Sequence, residues 1–116
     1  MAPKDKFFEL MYANEKLYSA IRYMVTNPRD LHERLHGAHS VFHVLSAHLA
    51  DLPPDFRTRL ENIFERFTRE KAKGTEGNVR ATLNVMSDED AQELAGDIFD
   101  LYYAVHDQHA ENKTKK

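Results

Sequence analysis

Four of the chain's seven histidines fall within residues 31–43, LHERLHGAHSVFH. His32, Glu33 and His36 spell H-E-x-x-H. In that spacing two imidazoles one helical turn apart hold zinc, and the glutamate activates the metal-bound water. The chemistry also needs a third protein ligand and a strand to hold an extended substrate. The continuation GAH does not complete the longer H-E-x-x-H-x-x-G-x-x-H set, Arg34 puts a cation inside the motif, and no segment alternates like a strand. Where histidines are this crowded, a chance match is the simpler account. Hydrolysis is the remotest extension of a metal reading.

Other metal sites of helical bundles fail on ligand count. A ferritin-like di-iron centre uses two Glu-x-x-His motifs and two further glutamates, whereas this chain has Glu33–His36 and no second. A hemerythrin-like centre needs ligands on all four helices, including His-x-x-x-Glu, which occurs nowhere here. Simple chelation remains. His32/His36 and His39/His43 are i,i+4 pairs able to hold a divalent transition metal, and His36/His39 and His106/His109 are i,i+3 pairs. His32, His36, His39 and His43 are therefore the candidate metal ligands. No cofactor is expected beyond such an ion.

The elements that position these residues are helical throughout. Phe7, Leu10, Leu17, Ile21 and Met24 recur at three- and four-residue steps over about 4–26, with Asn14 in the row and Met11, Tyr18 and Val25 widening it. TNP ends that helix. A second is predicted over about 28–51, with the seam Leu31, Leu35, Ala38, Phe42, Leu45, Leu49. After DLPPD a third spans about 54–73 through Phe56, Leu60, Ile63 and Phe67, with Phe64 beside them and Gly74 as its C-cap. A short helix at about residues 77–86 presents Val79, Leu83 and Met86. Ser87 and Asp90 then form a capping box for a last helix with the seam Ala91, Leu94, Ile98, Leu101, Val105. Short connections between long amphipathic helices predict an all-α fold, an antiparallel four-helix bundle with one additional short helix. Residues 1–116 are read as a single helical-bundle domain, with 110–116 a frayed charged tail.

Each histidine of the row follows a seam residue by one position, so the row borders the core rather than entering it. Such a border suits imidazole without any ligand, and this structural role is the plain alternative to metal binding. The last helix has a row of its own: Asp90, Glu93, Asp97, Asp100 and Asp107, with no lysine or arginine between Ser87 and Asn112. A cationic neighbour would relieve its self-repulsion. Arg59, Arg66, Arg69 and Lys73 on the third helix are the expected partners, ahead of the histidines, because their charge does not depend on pH. Solvation alone is the plain alternative.

Composition narrows the function. The 116 residues are one domain's worth, 30% of them charged, with mean hydropathy −0.66 and no cysteine. Disulfides and thiolate metal sites are thereby excluded, and no apolar run resembles a signal or a membrane span. A cytoplasmic location is expected. The formal charge of −3 gives no support to nucleic acid as a partner, and Glu61, Glu65 and Glu70 break up the basic side of the third helix. Protonating all seven histidines would shift the charge by seven units to +4, which raises the prospect of a pH-responsive bundle.

No nucleophile, phosphate loop or carboxylate dyad can be assembled, so the protein is expected not to be an enzyme. Phe8, Phe99 and Tyr103 project away from the seams and form the candidate interaction surface. Either the short helix covers them, or they meet a protein partner. The expected reading is a small interaction or regulatory module, a homodimer in the first instance. Asn14 is expected to fix helix register.

Overall fold

Five α-helices and one 3-10 segment realise this periodicity: α1 (Pro3–Thr26), α2 (Leu31–Phe42), the 3-10 segment (His43–Asp51), α3 (Pro54–Phe67), α4 (Asn78–Val85) and α5 (Asp88–Thr114). This computed structural model describes the backbone of residues 3–114 and the side chains of residues 10–112, and no strand occurs among them. The fold is an all-α bundle. Its pairings run antiparallel: Asn14 and Tyr18 of α1 meet His106 and Tyr102 of α5 in reverse order. Arg66 of α3 reaches back to Asp97 and Glu93 of α5. The short α4 packs mainly on α2 and α3.

One continuous core joins the helices. The predicted seams of α3 (Phe56, Leu60, Ile63, Phe67) and α5 (Ala91, Leu94, Ile98, Leu101, Val105) are buried in full. Each large apolar side chain so removed from water stabilises the fold by roughly 1.5–3 kcal/mol. In α1 the row is rotated from the predicted one. Ala13 and Ala20 are buried with Leu10, Leu17 and Met24, whereas Tyr18 and Val25 remain 49% and 75% exposed. Small residues there let neighbouring helices come close. Asn14 flanks the core and accepts a hydrogen bond from His106 Nδ1, 3.2 Å away.

Three boundaries differ from expectation. Pro28 lies outside α2, which starts at Leu31 because Asp30 caps it, its carboxylate accepting from Glu33 N at 3.0 Å. The same element leaves α geometry at Phe42 (φ −105°, ψ 4°) and continues as 3-10 helix to Asp51. Finally, α3 stops at Phe67, not near residue 73. The Thr68 hydroxyl turns back to Phe64 O at 3.1 Å, and the next amides are taken by side chains: Glu70 N by Thr82 Oγ1 (2.9 Å) and Ala72 N by Asn78 Oδ1 (2.8 Å). Gly74 is thus no C-cap. The position that requires glycine is Gly77, whose φ of 86° opens α4. The stretch expected to fray from residue 110 is helical as far as Thr114.

Candidate functional site: the histidine row and the aromatic face

The histidine row borders the core as predicted, yet its members have separate surroundings. At the start of α2, His32 Nε2 donates to Met86 O at 2.9 Å and Nδ1 lies 4.0 Å from the Asp88 carboxylate. The ring therefore ties α2 to the junction of α4 and α5. Glu33 points elsewhere. Arg80 of α4 grips its carboxylate with two hydrogen bonds, at 2.5 and 3.3 Å. That grip holds the Glu33 carboxyl below the usual range, its attraction outweighing partial burial, and raises the Arg80 guanidinium in turn.

The H-E-x-x-H motif is consequently taken apart by its neighbours. A proton donated to Met86 O occupies the Nε2 lone pair of His32, and the glutamate that would activate water is spent on an arginine. Among the described residues no group of three or more His, Cys, Asp or Glu side chains is placed to hold a metal ion. His36 is half-buried one turn further on.

His39 sits deepest of the four. Its ring lies 4.8 Å from Phe67, 5.9 Å from Phe64 and 6.2 Å from Phe42, centroid to centroid, and the His43 ring lies tilted against it at 5.0 Å. Burial among these rings lowers the His39 pKa to about 4, with the nearby positive charges of His43 and His36 adding to the effect. At neutral pH His39 is an uncharged member of an aromatic cluster. With His43, Leu49, Phe64, Glu61 and Glu65 it borders an open cleft of about 490 Å³. Glu65 is held by Arg69 on its own helix, at 2.7 and 3.1 Å.

The acidic row of α5 meets an arginine, the partner type expected. Arg66, 15% exposed, bonds Asp97 at 2.6 Å and lies 3.8 Å from Glu93. Arg59 pairs within α3 to Asp55 at 3.9 Å, Arg69 pairs to Glu65, and Lys73 falls beyond the helix.

The candidate interaction surface divides. Phe8 lies outside the residues whose side chains are described. Phe99 and Tyr103 are 49% and 59% exposed, their rings stacked 6.4 Å apart. The short helix, the alternative cover for them, packs mainly on α2 and α3. Phe99 also contacts Tyr102 at 6.3 Å, which meets Tyr18 of α1 at 6.2 Å. Four aromatic rings thus form one patch along α1 and α5. Neither Tyr18, assigned above to the widened core row of α1, nor Tyr102, which lies off the α5 seam, belongs to the surface expected from the sequence. The three-residue step from Phe99 to Tyr102 was the available signal.

Together these features define an all-α bundle with an intact core, a histidine border engaged by its neighbours, and one open aromatic face. No family model, curated protein or solved structure matches the chain. Among the described residues no helix is long and apolar enough to cross a membrane.

Proposed function

We propose that the protein is a non-enzymatic interaction module that presents its α1/α5 aromatic face to another protein surface. The observation that carries this reading is the Phe99–Tyr103 stack, half in water although the core beneath it is complete. Aromatic side chains bury much area at small entropic cost and dominate the energetics of docked surfaces. The engaged states of His32 and Glu33 favour binding over hydrolysis for the same chain.

Site-specific photocrosslinking tests the proposal in cells. Benzoylphenylalanine replacing Tyr103 should give a discrete adduct, and the same group replacing Thr58, exposed on α3, should not. Absence of any adduct from position 103 overturns the reading.

A second reading, a bundle that responds to acid, is favoured by the depressed pKa of His39. His36 and His43 act on that ring from its own side, while Glu61 and Glu65 of α3 and Val79 of α4 line the cleft it borders. Only partial compensation by acids is available, since Glu65 is already held by Arg69.

A further inference from the structure

We propose that the cleft between the 3-10 segment and α3 binds a small arylalkylamine, a flat apolar ring carrying a cationic amine, at a site separate from the aromatic face. The cleft owes one wall to the departure from α geometry. With 3.0 residues per turn, side chains three apart in a 3-10 helix fall in one line. In an α-helix the same positions fan out by about 60° at each step. His43, Ser46 and Leu49 stand at that spacing within the 3-10 segment, and all three line the cleft. Glu61, Phe64 and Glu65, which share one side of α3, line it from the neighbouring helix.

Size and surface suit a single ring system. At about 490 Å³ the cleft falls within the roughly 300–1,000 Å³ of small-molecule sites. Leu49, Phe64 and Val79 pack against the core and remain only partly buried, so apolar surface stays in water until something covers it. The His43 and Phe64 rings meet edge to face, 6.1 Å apart, and offer aromatic contacts to a flat ligand. His39 is uncharged at neutral pH, so an apolar ring can lie against it without covering a charge.

Charge decides between an amine and an acid. Glu65 is already answered by Arg69. Glu61 is exposed and has no ion pair among the described residues. Arg57, one turn before it, turns away to donate to Leu52 O at 3.5 Å. Lys71 and Lys73, in the loop after α3, are not among the residues lining the cleft. One carboxylate is therefore left over, which attracts an amine and repels an acid. A bare metal ion does not fit, because among the described residues no group of three or more His, Cys, Asp or Glu side chains is placed to hold one.

The chain contains no tryptophan, so the fluorescence anisotropy of tryptamine, excited beyond the tyrosine band, reports on the probe alone. At pH 8, where free imidazole is uncharged, tryptamine should bind the full chain saturably. Indole-3-acetate, with the same ring and the opposite charge, should bind about tenfold more weakly. Glu61→Gln should cost tryptamine about fivefold and bring the two probes closer together. Ser46→Phe, a change at an exposed position, should fill the cleft and abolish tryptamine binding while the thermal melt stays as in wild type. Equal binding of the two probes, no saturable binding of tryptamine, or a preference unchanged in Glu61→Gln overturns the inference. Affinity for tryptamine that falls as the protein concentration rises means that a second copy closes the cleft, and overturns it too.

Discussion

His39 and Phe67 meet ring to ring with centroids 4.8 Å apart, so the charge state of one imidazole is tied to the packing of α2 on α3. Folding lowers the His39 pKa from 6.5 to about 4, chiefly by burial. A depressed histidine binds its proton more readily in the unfolded chain. Its contribution to stability is therefore full above about pH 6.5 and is lost as the pH falls toward 4. Allowing for solvent at the ring's open edge, the loss is about 2 kcal/mol. Urea unfolding of wild type and His39→Leu across this window checks it: the variant should show a shallower decline on acidification. Parallel curves would remove His39 as the cause.

Zinc should bind poorly. Coordination through His32 Nε2 would have to break its bond to Met86 O, and among the described residues no group of three or more His, Cys, Asp or Glu side chains is placed to hold the ion. Calorimetry at about a hundred micromolar protein should give no saturable heat. One-to-one binding that disappears in a His36→Ala, His39→Ala double variant would show that the row rearranges around a metal.

Arg66 and Arg59 share a helix and differ in consequence. Arg66 is mostly buried and joins α3 to Asp97 and Glu93 of α5, whereas Arg59 pairs loosely with Asp55 on its own helix. Arg66→Ala should cost about 1.5–3 kcal/mol, as loss of a charged hydrogen bond between elements does. Arg59→Ala should stay within about 0.5 kcal/mol. Equal costs in denaturant titrations would mean that the bridge to α5 adds nothing.

Gly37 of α2 lies directly against the Tyr23 ring of α1. A Cβ there would fall 2.2 Å from the Tyr23 ring, so Gly37→Ala must displace that ring despite alanine's better helix propensity. A net destabilisation of about 1–3 kcal/mol is expected. A raised melting temperature would show that Tyr23 moves aside freely.

The parts of the fold legible beforehand are those set by local periodicity. Phe56, Leu60, Ile63 and Phe67 lie on one side of any helix with 3.6 residues per turn, as do Leu94, Ile98, Leu101 and Val105, and both rows are buried. Ser87 capping Asp90 N at 3.0 Å was equally readable, because a cap involves residues three apart. The end of α3 was not, since it depends on Thr82 and Asn78 arriving from α4 to take the amides of Glu70 and Ala72.

The candidate site divides the same way. Spacing alone placed the four histidines in one row at the core's edge, and placed Phe99 and Tyr103 one turn apart. Neither spacing nor composition could assign Glu33 to Arg80 or His32 to the carbonyl of Met86, partners 47 and 54 residues away. Nor could they leave Tyr18 in water while drawing Ala13 and Ala20 inward. Along one helix, geometry repeats and chemistry can be read from it. Between helices, the partner of a side chain depends on which faces meet and how closely, and backbone approach and desolvation decide that only once the bundle is assembled.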